Sequence, residues 1–121
     1  MLLMENDLLA ENHFPVIPVI NEACSFDFIK FMENINNSVG MGYNYASCSF
    51  YNDLDDYDKQ NIKFFNGILF STINNEDLIL SFEEFFYYLK LVALRIPYKD
   101  FEHMTTAVHL LNEYKSKYLN K

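Results

Sequence analysis

The sequence is poor in glycine, cysteine and basic residues, and each shortage excludes a class of protein. Its 121 residues include three glycines, at 40, 42 and 67. These are too few and too scattered for a P-loop or a dinucleotide-binding fingerprint. Lys and Arg number 9 against 17 Asp and Glu, giving a formal charge of −8. Nucleic acid and anionic lipid are therefore not expected to bind through a basic face. The apolar runs are short, which predicts no membrane-spanning segment.

What the chain does have is enough apolar material for one core. Half of its residues are hydrophobic and 17% are aromatic, and a chain of this length predicts a single globular domain over residues 1–121. Glu5 and Asp7 precede the first base, Lys30. This order is atypical of a secretory signal, so a cytoplasmic protein is expected. Cys24 and Cys48, without metal-type spacing, are then expected to be free and buried.

The first twenty residues are expected to form an irregular arm. Pro15 and Pro18 lie within the apolar stretch 14–20. Each proline lacks a backbone donor and restricts the residue before it, which argues against a long helix through this stretch. A short helix that ends before His13 is the alternative.

A helix is predicted to follow this arm. Ser25 is a suitable N-cap, and apolar residues then recur at helical spacing, at Phe28, Ile29, Met32 and Ile35. The run Asn36-Asn37-Ser38 before Gly40 predicts the end of this helix.

The middle of the chain changes to strand patterns. Tyr43 to Tyr51 alternates with a period of two, which predicts a strand. Residues 62–73 fit one long strand with a bulge at Gly67 better than a hairpin at Asn66-Gly67, because the hairpin leaves very short arms. A turn over residues 74–77 then leads into a further strand at 78–80.

The last forty residues predict two helices. Ser81 and Glu84 form a capping box, and one face of the following helix is apolar, with Phe82, Phe85, Phe86, Leu89, Val92 and Ala93. Pro97 ends it. A final helix over 100–119 directs inward Met104, Ala107, Val108, Leu111, Tyr114 and Tyr118. The fold class is therefore α+β, with an antiparallel sheet of three or four strands packed against helices.

Patterns of catalytic or cofactor-binding residues are missing. His13, His103 and His109 lack the spacing of metal ligands and are expected at the solvent edge. The acidic run from Asp53 lacks the glycine and glutamate that a calcium loop needs at its sixth and twelfth positions. No nucleophile–base signature and no buried carboxylate pair is recognisable. We therefore expect neither an enzyme nor a cofactor.

The negative charge is confined to one half of the chain. Ten of the acids but only one base lie in residues 1–58, a formal charge of −9. One-sided charge of this kind suits either a merely solvated surface or a docking face for a cationic protein. Tyrosines beside the acids favour docking, because Tyr anchors protein interfaces. The predicted partner-binding residues are Asp53, Asp55, Asp56, Tyr57, Asp58, Tyr45 and Tyr51, on a surface loop, and the next candidates are Glu5, Asp7 and Glu11.

Part of the chain resembles the immunity proteins of bacterial contact-dependent growth inhibition (CDI) systems. The resembling residues are the string 64–70, the acidic pair Glu76-Asp77, the string 78–85, Tyr88-Leu89 and Pro97. The resemblance implies an antitoxin that binds and blocks the active site of a cognate cationic toxin nuclease, a ribonuclease, and protects the producing cell. It implies no direct contact with nucleic acid, membrane or small-molecule substrate. A small acidic regulatory or adaptor domain is the alternative.

Overall fold

Helices and short strands alternate along the chain. A computed structural model describes residues 2–42, 46–74 and 77–120. Its regular elements are α1 (Val16–Asn36), β1 (Met41–Gly42), β2 (Ala46–Ser49), α2 (Asp56–Asn61), β3 (Ile68–Thr72), β4 (Asp77–Leu80), α3 (Phe82–Ala93) and α4 (Phe101–Tyr114). A π-helical turn, Lys115–Leu119, continues α4. The predicted α+β class and the two C-terminal helices are confirmed. No helix in the described ranges has the length and apolarity needed to cross a membrane.

The four strands form one antiparallel sheet in the order β1-β2-β3-β4. Cys48 lies opposite Phe70, and Phe70 lies opposite Leu78, so side chains of one face line up across three strands. The β3–β4 hairpin confirms the predicted pairing, although its turn residues 75 and 76 lie outside the described part. Residues 43–45 of the predicted tyrosine-rich strand also lie outside it.

The prediction of one long bulged strand over 62–73 is wrong. Strand β3 begins at Ile68, which pairs with the last residue of β4, Leu80. On the other side, the last residue of β2, Ser49, pairs with Leu69. Both neighbouring strands therefore end where β3 begins, and residues before Ile68 have no strand to pair with.

Helix α1 begins earlier than its two prolines suggested. Pro15 is its N-cap and Pro18 lies in the first turn, where backbone N–H groups have no acceptor within the helix, so proline removes no hydrogen bond. The expectation of an irregular arm to residue 20 is therefore wrong from Val16 onward. The helix kinks at Asp27 (φ −161°, ψ 96°). The Asp27 carboxylate accepts the backbone N–H of Lys30 at 3.0 Å, so Asp27, rather than Ser25, caps the second segment.

The core lies where α1, α3 and α4 meet the sheet. Phe85 of α3 is fully buried, and its ring packs against Phe31, Phe70 and Tyr114 with centroid distances of 6.3, 5.7 and 6.1 Å. The predicted inner face of α4 is partly wrong, because two of its members are exposed, Met104 and Val108. The buried positions of α4 and its continuation are Ala107, Leu110, Tyr114 and Tyr118.

Both cysteines are buried and free, as predicted. Burial raises the pKa of the Cys24 thiol well above its ordinary value and that of Cys48 to about 11. Both thiols are therefore protonated at neutral pH and serve as small apolar core residues.

The segment before α1 is held down by long-range hydrogen bonds. The Tyr88 hydroxyl accepts the Leu9 N–H at 2.9 Å and lies 2.8 Å from His13 Nδ1. The other ring nitrogen of His13, Nε2, lies 3.5 Å from a Glu84 carboxylate oxygen. His13 is only 5% exposed, so the expectation of a solvent-edge histidine is wrong for this residue.

Asp7 and Arg95 form a two-point ion pair that closes the same segment onto the end of α3. The two terminal guanidinium nitrogens, Nη1 and Nη2, donate to the carboxylate at 2.7 and 2.9 Å. The Arg95 hydrogen bonds lower the pKa of Asp7 from its usual 3.8 to about 2. The pair therefore stabilises the fold fully above about pH 4, and this contribution is lost as the pH falls toward 2.

Asp7→Asn is expected to reveal this pH dependence. Asparagine keeps an acceptor for the Met4 N–H, which Asp7 also holds at 2.9 Å, but it removes the charge. The variant should be less stable than the parent at pH 6, and the difference should shrink between pH 4 and pH 2. Urea unfolding at several pH values measures it, with Glu22→Gln as the control for loss of an exposed acid. A difference that stays constant over this range would contradict the assignment.

The predicted capping box at the start of α3 is confirmed. Ser81 Oγ accepts the Glu84 N–H at 3.0 Å, and the Glu84 carboxylate accepts the Ser81 N–H at 2.9 Å. Ser81→Ala is expected to lower the free energy of unfolding by about 1 kcal/mol. Urea unfolding tests this value against Ser116→Ala, which removes the hydroxyl of an exposed serine with no capping role. Equal effects of the two substitutions would rule out a contribution from the cap.

Candidate partner-binding surface

The acidic segment forms helical turns rather than the predicted loop. A 3₁₀ turn spans Tyr51–Asp53, and α2 follows with Asp55 as its N-cap, whose carboxylate accepts the Asp58 N–H at 2.8 Å. Acids in the first turn of a helix are favourable because they face its free N–H groups. The clustered aspartates, which predict a solvated loop, are therefore also typical of the N-terminus of a helix.

The four aspartates of this segment have different structural roles. The Asp53 carboxylate accepts the backbone N–H groups of Gly40 and Phe50, at 2.7 and 3.0 Å. It thereby ties the turn to the residues before β1. Asp55 caps α2. Asp56 is exposed and Asp58 is half-buried, and within the described ranges neither side chain has a hydrogen-bond partner. The carboxylates of Asp53 and Asp55 thus stabilise the local fold. Those of Asp56 and Asp58 form no such hydrogen bonds within the described ranges.

Aromatic side chains accompany these acids. Tyr57 is 73% exposed and Phe64 is 68% exposed. Phe64 packs against the Tyr51 ring at a centroid distance of 5.0 Å, and the Lys59 ammonium lies 5.7 Å from the same ring. We name the set Tyr51, Asp55, Asp56, Tyr57, Asp58 and Phe64 the acidic–aromatic surface. Tyr45, also predicted to bind the partner, lies outside the described residues.

Phe64 is the member of this surface that sequence reasoning missed. In the predicted strand over 62–73 it would have only a structural role. Its neighbour Phe65 is buried, and the Phe65 ring also contacts Tyr51, at 5.6 Å. Two consecutive phenylalanines outside a helix seldom share one side of the chain. The doublet itself was therefore a signal that one ring faces solvent.

The remaining acids of the first half of the chain fall into two groups. Asp7 pairs with Arg95, and Asp27 caps the second part of α1. The other four are exposed, and within the described chain their side chains hold no hydrogen bond or ion pair: Glu5, Glu11, Glu22 and Glu33. Four of the ten acids in residues 1–58 are thus bound to backbone or arginine groups, namely Asp7, Asp27, Asp53 and Asp55. The structural roles of these four acids therefore explain part of the charge asymmetry without a binding partner.

The described residues define a small acidic α+β protein in which no three His, Cys, Asp or Glu side chains converge as metal ligands. In comparison with protein families, the one described as "CDI immunity protein" matches residues 9–119. The chain therefore belongs to the family of CDI immunity proteins. No curated protein and no solved structure gives a match.

Proposed function

We propose that this CDI immunity protein neutralises its cognate toxin by covering the active site of a basic nuclease, a ribonuclease, in the cytoplasm of the producing cell. It acts stoichiometrically and catalyses no reaction. Family membership supports the antitoxin role, and the observation that carries the proposed mode of binding is the acidic–aromatic surface. Carboxylates beside exposed aromatic rings suit a partner whose cleft is cationic and stacks bases.

In this mechanism the carboxylates of Asp55, Asp56 and Asp58 occupy positions that substrate phosphates take in the toxin. Their charge attracts the toxin from a distance and accelerates association. Tyr57 and Phe64, both largely exposed, become buried on binding and slow dissociation. The surface therefore separates two contributions, with charge governing the rate of encounter and aromatic burial governing residence time.

The test replaces three acids with Asn: Asp55, Asp56 and Asp58. Asparagine at 55 is also a good N-cap, and Asp53 is left intact because it holds two backbone N–H groups. The matched control, Glu22→Gln/Glu33→Gln/Glu102→Gln, removes the same charge from other exposed sites. Association with the cognate toxin domain is measured at two salt concentrations. We expect the first triple variant to associate about tenfold or more slowly with a flatter salt dependence. Equal rates and salt slopes for both variants would place the docking face elsewhere.

The aromatic contribution is tested separately by Tyr57→Ala and Phe64→Ala. Each should accelerate dissociation by about 30-fold if the ring is a central anchor. Growth rescue on co-expression with the toxin, and a titration of nuclease activity that ends at one inhibitor per toxin, test the antitoxin role. A chain that gave no protection would favour the regulatory-domain alternative instead.

A further inference from the structure

A cleft of about 670 Å³ lies at the kink of α1. Its walls come from the residues around the kink, from the connection between α3 and α4, and from the N-terminal segment. Phe26, Leu2, Ile96 and Pro97 provide apolar lining. None of these residues belongs to the acidic–aromatic surface, so this cleft is a second feature of the molecule.

The kink explains why an aromatic side chain stands out beside this cleft. Phe28, just after the kink, is 2% exposed, whereas Phe26, just before it, is 79% exposed. Leu94 and Phe101, close in sequence to the cleft residues Arg95 and His103, are 84% and 76% exposed. These are the three most exposed large apolar side chains of the described chain. An exposed aromatic ring such as Phe26 at the apolar lining of a cleft is typical of an interaction surface.

The charges at the cleft point to a partner that carries both signs. Asp27 and Lys99 both line the cleft, but within the described residues neither is part of an ion pair. Arg95 is already bound by Asp7. The cationic face of a toxin would meet the unpaired Lys99 here, which is unfavourable. A purely acidic partner would instead meet Asp27.

We propose that this cleft binds a second copy of the chain in a twofold-symmetric dimer. Such an interface requires each copy to present both a projecting group and its receptor. Phe26 is the projecting group, and the apolar wall of Leu2, Ile96 and Pro97 is the receptor. Asp27 of one copy faces Lys99 of the other, twice over. This inference is independent of the proposed function, because none of the residues that line the cleft belongs to the acidic–aromatic surface.

The first test is the mass of the purified full-length chain in solution. Sedimentation equilibrium from 1 to 200 µM is expected to show association toward twice 14.3 kDa. Because a twofold interface contains each residue twice, a tenfold weakening per site becomes about 100-fold in the dissociation constant. Phe26→Ser is therefore expected to raise that constant by about 100-fold or more. Phe64→Ser, which removes a comparably exposed ring from the other surface, should leave it unchanged.

The second test uses charge and does not alter the apolar contact. Lys99→Glu places a carboxylate against Asp27 of the other copy and is expected to give a monomer. Adding Asp27→Asn removes this repulsion while keeping an N-cap for Lys30, so the double variant should regain association. Circular dichroism confirms that each variant is folded. A parent chain that stays monomeric throughout the concentration range overturns the proposal. So does a double variant no better than Lys99→Glu, or a Phe26→Ser change that weakens only toxin binding.

Discussion

Replacing Phe85 with alanine is expected to lower the free energy of unfolding by about 3–5 kcal/mol. Its ring is fully buried and packs edge-on against Phe31, Phe70 and Tyr114. These three residues come from α1, β3 and α4, so one side chain joins three separate elements to α3. Truncation leaves a cavity at their junction, and rings from three elements cannot all move in to fill it. Urea denaturation followed by circular dichroism measures the loss.

The matched control for this prediction is Phe64→Ala, which removes the same ring from a site that is 68% exposed. Its effect on unfolding should be well below 1 kcal/mol, since little apolar area leaves water there on folding. Comparable losses for Phe64 and Phe85 would show that the proposed core is not the one that stabilises the chain.

Gly67→Ala is expected to cost about 3 kcal/mol, at the upper end of the range for backbone strain. Gly67 has a φ of +147°, in the region that side chains rarely adopt. A Cβ atom there would also lie 2.1 Å from the carbonyl oxygen of Leu80. That oxygen belongs to the backbone of β4, so it cannot move aside without disturbing the β3–β4 pairing. Thermal and urea unfolding both report the loss.

Gly42→Ala provides the comparison for Gly67. A Cβ at Gly42 would have Ser47 Cβ as its nearest neighbour, at 3.9 Å, an ordinary contact distance. The expected change in stability is below about 0.5 kcal/mol. Equal sensitivity of the two glycines would mean that the close approach at Gly67 is not what limits substitution.

Elements with a local signal were predictable from the sequence. The reciprocal bonds of Ser81 and Glu84 depend on residues three positions apart, and the hairpin of β3 and β4 follows a polar turn between apolar runs. The start of α1 was missed because Pro18 in a first turn and a helix-breaking proline look alike until the N-terminus of the helix is known. The end of β3 depends on where β2 and β4 end, which is tertiary information.

The candidate site, like the fold, was predictable only where the signal is local. The sequence identified the acids and tyrosines of the acidic–aromatic surface as residue types, but it did not separate their roles. The Asp53 carboxylate accepts the N–H of Gly40, thirteen residues away. No local sequence pattern predicts such a bond. Asp55 was more accessible to inference, because an aspartate three residues before Asp58 has the spacing of a helix cap. Phe64 was missed because its exposure depends on where β3 begins, and the local sequence does not show that β3 begins only at Ile68.

The hydrogen bonds of the N-terminal segment have a consequence for protein synthesis. Leu9 and His13 bond Tyr88, while Leu2 and Asp7 bond Arg95, across 75 to 93 residues of sequence. This segment therefore leaves the ribosome before α3 and Arg95, which hold its hydrogen-bond partners, have been synthesised. In a chain that is terminated before Tyr88, Leu9 and His13 lack the hydroxyl that they bond, even if all four strands of the sheet are present. The hydrogen bonds that hold this segment thus form only after α3 and Arg95 have been synthesised, rather than as the segment itself emerges.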